Sequence, residues 1–158
     1  MNLHPIFVHF PIALLTIYAL LECLRFKKLM QWEPWFYIKG SLVILGFLSS
    51  IATYLSGDAI EHDFTKIASL ARLVEVHSSF AFVTVLVFGL ISAAYAVVWA
   101  KWKPLETLAK RLLSVYVIVP LALVGLVLVT VTGALGGAIA FGPDIDPLVT
   151  FVYHALGF

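Results

Sequence analysis

The sequence predicts an all-α integral membrane protein, a four-helix bundle with both termini on the outer side of the membrane. The first observation is composition: the 158-residue chain is 62% hydrophobic and 12% charged, with a mean hydropathy of +1.04. These values lie far outside those of soluble globular domains. The second is that apolar residues fall into four runs of about the 20 residues needed to cross a bilayer. The third is that charges of opposite sign are sorted between the connecting segments.

A single domain is predicted over residues 1–158. Its four helices are predicted at about 5–24, 35–55, 78–100 and 112–141. An outer connection, 56–77, joins the second helix to the third, and an outer tail, 142–158, follows the fourth. The connection mixes polar and apolar residues, which predicts helical character along the membrane surface. No basic region of a signal peptide opens the chain, so we expect the first run to be retained as a helix.

Two prolines in the first helix have different consequences. Pro5 suits the first helical turn, where the backbone amides are unpaired in any case. Pro11 removes an interior hydrogen bond and frees the carbonyl of Phe7. The outer turn of this helix is therefore predicted to bend or loosen, which would change the direction of the His9 side chain.

The second helix carries Ser49, Thr53 and Gly57 at four-residue spacing, a small-residue face that favours close helix packing. The third helix is lined by aromatic and branched residues, with small residues near its middle.

The fourth apolar run has about 30 residues, or roughly 45 Å of helix, against a hydrocarbon thickness of about 30 Å. This excess predicts tilt, a bend at Pro120 or an overhanging end. The outer end of the run has little side-chain bulk, which leaves space for a flat ligand beside Gly133, Gly136 and Gly137.

Basic residues are concentrated on one side of this topology. They are Arg25, Lys27, Lys28, Lys39, Lys101, Lys103, Lys110 and Arg111. The other side has only Lys66 and Arg72 as basic residues, and it carries Asp58, Glu61, Asp63, Glu75, Asp144 and Asp146. The positive-inside rule then places the basic side in the cytoplasm and both termini in the periplasm of a bacterial inner membrane. No feature supports binding of nucleic acid.

All five histidines fall at the outer end of the predicted helices: His4, His9, His62, His77 and His154. Imidazole is the commonest metal ligand in proteins and a common axial ligand of haem iron. Cys23 is the only cysteine, which excludes a paired-thiolate metal site and covalent haem attachment of the c type. The histidines therefore predict a noncovalently held b-type haem near the outer face.

His9 and His77 are the predicted axial pair. His9 lies about one turn inside the first apolar run, where an ionisable residue is a functional candidate by default. His77 heads the third helix at a similar depth, and His4 or His62 is the fallback ligand. The glycines of the fourth helix, Gly133, Gly136 and Gly137, would let the porphyrin approach closely.

A second candidate site combines Glu61, His62, Glu75 and His77 in and beside the outer connection. Nitrogen and oxygen ligands of this kind suit zinc, manganese or non-haem iron, although the spacings match no known metal cage. The same side chains would also fit as proton acceptors for quinol oxidation at the outer face.

The segment Leu3-His4-Pro5, followed by Val8-His9-Phe10-Pro11-Ile12-Ala13-Leu14-Leu15, resembles the opening of a family of small bacterial four-helix inner-membrane proteins of unknown function. That family has an N-terminal signature of the HPxxVHFPIALL type. Gly136-Gly137, Phe141-Gly142-Pro143 and Asp146-Pro147 also look like its C-terminal pattern. Family members occur fused to or beside cytochrome c or iron-sulfur modules. The resemblance therefore implies a redox setting, with His4 and His9 as the paired N-terminal histidines.

Two parts of the chain match that family less closely. His77 lies outside the N-terminal signature, and the long outer connection with Glu61 and His62 departs from the family's shorter forms.

These observations predict a membrane-embedded electron-transfer protein, an electron carrier or complex subunit rather than a stand-alone catalyst. The alternative is a cofactor-free structural or anchoring subunit of a larger membrane complex, such as a respiratory one. Its expected partners are the lipid bilayer and either a redox protein or other complex subunits, with a homo-oligomer as a further option. A transporter is less well supported, because no charged residue is predicted at mid-membrane to line a path.

Overall fold

The computed structural model describes residues 4–65 and 68–158, and describes side chains for these apart from Pro5 and those of 60–69. All regular structure in this part of the chain is α-helical, which confirms the predicted class. The helices are α1 His4–Phe7, α2 His9–Cys23, α3 Lys27–Met30, α4 Pro34–Thr65, α5 Ala68–Trp99, α6 Lys103–Leu112, α7 Val115–Phe141 and α8 Pro147–Ala155.

Three helices in the described residues are long and apolar enough to cross a membrane. These segments are Pro34–Ala59 of α4, Leu70–Trp99 of α5 and Val115–Phe141, which is α7. The first predicted run is divided instead, because α1 ends at Phe7 and the 15-residue α2 begins at His9. Pro11 has no N–H to donate to the Phe7 carbonyl, so the helical ladder is interrupted there. The predicted loosening of this turn is confirmed.

The predicted outer connection, 56–77, has the helical character expected of it, and the ends of two long helices form most of it. α4 continues to Thr65 and α5 begins at Ala68, and each has 32 residues. The physical reason is that no proline or glycine interrupts the chain between Asp58 and His77. At 1.5 Å per residue each helix is about 48 Å long, so both exceed a hydrocarbon thickness of about 30 Å.

The core lies between α2, α4, α5 and α7. Its fully buried side chains include Leu15, Tyr18, Phe88 and Ile118. Gly125 allows α7 to approach α5, because a Cβ atom there would lie 2.6 Å from Phe88 Cζ. The outward faces of the long helices are also apolar, and side chains such as Leu45, Leu86, Leu90 and Val127 are more than half exposed. Continuous exposed apolar surface of this kind is suited to lipid.

A smaller apolar cluster surrounds α8 and joins it to α5 and α7. Val149 and Val152 of α8 pack with Leu73 and Leu135. α8 begins at a definite point because Asp146 Oδ1 accepts hydrogen bonds from the backbone N–H groups of residues 148 and 149, which is a favourable N-cap. The C-terminal segment therefore covers one end of α7.

Polar side chains gather at the two ends of the bundle. We call the end that contains His4, Ser56, His77 and Thr132 the histidine end. We call the end that contains Glu22, Arg25, Lys39 and Tyr95 the carboxylate end.

Candidate functional site at the histidine end

His77 is held against α7 by a hydrogen bond and by a glycine. Its Nδ1 atom lies 3.1 Å from the backbone carbonyl oxygen of Thr132. A carbonyl can only accept, so Nδ1 carries the proton and Nε2 carries the lone pair. One turn further along α7, a Cβ atom at Gly136 would lie 3.2 Å from His77 Cε1. The glycine therefore provides the space in which the imidazole lies.

His4 is held against α4 in a similar way. Its Nδ1 atom lies 2.8 Å from Ser56 Oγ, and Ser56 donates its own proton to the carbonyl of Thr53 over 2.8 Å. The His4 ring also hydrogen-bonds to the backbone of Thr53, so a single turn of α4 holds the imidazole. A Cβ atom at Gly57 would lie 3.0 Å from His4 Cε1.

Burial favours the neutral form of His4. It lowers the pKa of the imidazole below its ordinary value, and hydrogen bonding to the backbone of Thr53 opposes this effect only in part. The imidazole is half-buried rather than fully enclosed. A neutral imidazole can act as a metal ligand or a proton acceptor, which a protonated imidazole cannot.

His4 of α1 and His77 of α5 lie at the same end of the bundle, although they are far apart in sequence. Each has its Nδ1 atom within hydrogen-bonding distance of a protein partner and its Cε1 edge against a helical glycine. The histidine end therefore presents two imidazoles from different helices, each held in place at Nδ1.

His9, the predicted partner of His77, is exposed at the first residue of α2. His154, which was not among the predicted ligands, is exposed on α8, edge-to-face with Tyr153. His4, the predicted fallback ligand, is held at the histidine end. The break at Val8 explains the difference, because α1 and α2 do not continue one helical register.

Each of the three glycines of α7 has a neighbouring side chain from another helix. A Cβ atom at Gly133 would lie 3.6 Å from Ile12, and one at Gly137 would lie 3.3 Å from Val149. At Gly136 the neighbour is His77. All three glycines are partly exposed, and their role beside a flat ligand stays a prediction.

The alternative metal set is described only in part. The side chains of Glu61 and His62 lie outside the described residues, and Glu75 is exposed on α5. Among the side chains that are described, no three His, Cys, Asp or Glu residues are grouped to hold a metal ion.

A buried ionic network at the carboxylate end was not predicted from the sequence. The Glu22 side chain is 1% exposed. Its Oε1 atom accepts hydrogen bonds from Lys39 Nζ at 2.7 Å and from Arg25 Nη2 at 2.9 Å, and its Oε2 atom accepts one from the Tyr95 hydroxyl at 2.8 Å. The available signal was an acidic residue inside an apolar run, which marks a functional or pairing role in a membrane helix.

The chain was also compared with protein-family models, curated proteins and solved structures, and no match was found in any of the three.

Proposed function

We propose that this chain is a multi-pass protein of the bacterial inner membrane, with the histidine end in the periplasm. Three long apolar helices and their exposed apolar faces support membrane insertion. Eight of the ten basic residues lie at or near the carboxylate end, which supports a cytoplasmic location for that end. The four tryptophans, which favour membrane interfaces, are also close to this end: Trp32, Trp35, Trp99 and Trp102. In this topology α2 is the fourth, shorter membrane helix, and both termini are periplasmic.

Within this membrane protein, we propose that His4 and His77 are the axial ligands of one b-type haem and that the protein transfers electrons. The observation that carries this proposal is that two imidazoles from different helices are each held at Nδ1 by a protein partner at the histidine end. Histidine ligands of metals commonly donate the other ring N–H to a carbonyl or a similar acceptor, which fixes the ring and raises its basicity. His77 does so to Thr132, and His4 Nδ1 lies 2.8 Å from Ser56 Oγ.

The residues present fit the role of iron ligands, and we place the haem between His4 and His77. A bound haem would supply one-electron chemistry, and the chain would orient its axial ligands and shield it from water.

The test is to purify the protein in mild detergent after expression with an ensured supply of haem. Oxidised and dithionite-reduced visible spectra are recorded, with iron analysis on the same sample. We expect sharp reduced Soret and alpha bands, which are lost in His77→Ala and His4→Ala and retained in His9→Ala. His154→Ala is the matched control, because His154 is an exposed histidine on α8.

Two outcomes would contradict the proposal in different ways. A colourless, iron-free preparation of the folded protein would overturn the haem assignment and favour a structural or anchoring subunit. Loss of the spectrum in His9→Ala with retention in His4→Ala would keep the haem and restore His9 as the partner of His77.

A further inference from the structure

A cleft of about 330 Å³ lies beside the Glu22 network at the carboxylate end. Arg25, Lys39 and Tyr95 line it together with Trp32 and Trp35. The cleft therefore combines the cationic members of a buried ionic network with large aromatic walls, and it lies far from the histidine end.

The buried ionic network at this cleft has unequal charges. Glu22 is the carboxylate partner of both Arg25 and Lys39, so the network carries one excess positive charge. Lys39 is 5% exposed, and an uncompensated charge at such a position is costly. Glu33 brings the whole lining to two acidic and two basic residues, but it is exposed, and within the described part of the chain no ion pair joins it to either cation. The buried part of the site therefore favours an anionic ligand.

Two hydrogen-bond donors of the same cleft lack acceptors. Arg25 Nε and Trp35 Nε1 are buried, and no acceptor for either lies among the described residues. Trp35 is 8% exposed, so its indole N–H is removed from bulk water. Buried donors are almost always paired in native proteins, and these two belong to side chains that line the cleft beside the positively charged network. A ligand with several acceptor oxygens would satisfy both features.

A second cleft of about 430 Å³ adjoins the first and shares Phe36 and Tyr37 with it. It is lined by Lys101, Lys103 and Lys110, of which Lys110 pairs with Glu106. Part of this lining belongs to α6, a basic helix whose leucines at positions 105 and 108 are exposed. Basic amphipathic helices of this kind lie in the plane of membrane interfaces. The positive surface therefore continues along the level where lipid headgroups would lie.

We propose that the cleft lined by Arg25, Lys39 and Trp35 binds the phosphate of an acidic phospholipid. A phosphate group supplies negative charge and several acceptor oxygens, and basic pockets between membrane helices on the cytoplasmic side are suited to anionic headgroups. The exposed apolar side chains of Met30 and Trp32 at the cleft favour a lipid over free phosphate, because they offer a surface for acyl chains. The inference rests on the proposed membrane insertion and is independent of the haem.

The test uses native mass spectrometry of the purified full chain in detergent, titrated with dioleoyl phosphatidylglycerol, dioleoyl phosphatidylcholine or inorganic phosphate. We expect one phosphatidylglycerol to be retained and phosphatidylcholine to be lost. Arg25→Gln should weaken retention by about tenfold or more, as expected for the loss of a charge-assisted hydrogen bond. Lys27→Gln is the matched control, because it removes the same charge from an exposed position on α3 outside the cleft lining.

Trp35→Phe provides a second variant that preserves the aromatic wall and removes only the indole N–H. It should weaken phosphatidylglycerol retention several-fold while leaving the unfolding midpoint near that of the parent protein. If Arg25→Gln does not fold, Trp35→Phe alone tests whether this cleft binds phosphatidylglycerol. Equal retention of phosphatidylcholine, or equal weakening by Lys27→Gln and Arg25→Gln, would overturn the proposal. Displacement of phosphatidylglycerol by an equal concentration of inorganic phosphate would overturn the lipid assignment in favour of free phosphate.

Discussion

Lys39 Nζ lies 2.7 Å from Glu22 Oε1 and joins α4 to α2 inside the carboxylate end of the bundle. The Tyr95 hydroxyl of α5 donates to the other oxygen of the same carboxylate, so one side chain connects three helices. Apolar side chains can exchange neighbours at little cost, whereas a buried carboxylate requires its own donors. The network therefore defines how α2, α4 and α5 align.

Glu22→Gln should lower the free energy of unfolding by about 3–5 kcal/mol, because it leaves the Lys39 ammonium buried without its counter-charge. The measurement is denaturant unfolding in detergent. Glu106→Gln is the control, since Glu106 pairs with Lys110 at the exposed surface of α6, and it should cause no measurable change. Adding Lys39→Met to Glu22→Gln should recover much of the loss. Equal denaturant midpoints for Glu22→Gln and Glu106→Gln would show that the buried network does not stabilise the bundle.

Gly125→Ala should destabilise the protein by about 1–3 kcal/mol through overpacking. The added Cβ atom would lie 2.6 Å from Phe88 Cζ, and Phe88 is fully buried and cannot move aside. Gly133→Ala on the same helix is the control, because its Cβ atom would make an ordinary contact of 3.6 Å with Ile12. That variant should be neutral or gain up to about 1 kcal/mol from helix propensity. Comparable thermal midpoints for both variants would contradict close packing of α7 on α5.

In the haem-free protein, acidification should destabilise the packing of α1 on α4. The pKa of His4 in the folded protein is lowered below 6.5, so the fold favours the neutral imidazole. Its contribution is complete above about pH 6.5, the ordinary value in the unfolded chain, and is lost as the pH falls through the lowered pKa.

The measurement is the titration of the His4 ring protons by NMR, together with thermal midpoints between pH 7.5 and pH 5. His4→Gln should reduce the dependence of the midpoint on pH, whereas His154→Gln should leave it unchanged because His154 is exposed. A His4 titration midpoint at or above 6.5 would contradict the burial of this imidazole.

Cysteine labelling should place the two ends of the bundle on opposite sides of the membrane. In a Cys23→Ser background, Asp144→Cys introduces a thiol between α7 and α8, and Lys103→Cys introduces one at the start of α6. A membrane-impermeant maleimide applied to spheroplasts should label position 144 directly and position 103 only after permeabilisation. Both parent side chains are exposed. Any difference in labelling by the maleimide therefore reports the side of the membrane on which each position lies. The reverse pattern would invert the proposed topology.

Local features of the sequence were sufficient for the helical class, the long apolar segments and the interruption caused by Pro11. They misplaced the ends of α4 and α5, since the polar residues between 58 and 77 suggested a connection although none of them breaks a helix.

The sequence by itself determined that the chain is helical and apolar, that its basic residues are concentrated toward one side and that its histidines fall toward the other. These properties depend on composition and on spacing within each segment. Only the tertiary structure decided that His4 lies against Gly57, that His77 lies against Gly136, and that Glu22 pairs with Lys39 and Tyr95. Each residue turns a helix by roughly 100°, so these pairings depend on how each helix is rotated and displaced relative to its neighbours. Side-chain packing across the whole bundle sets that rotation and displacement.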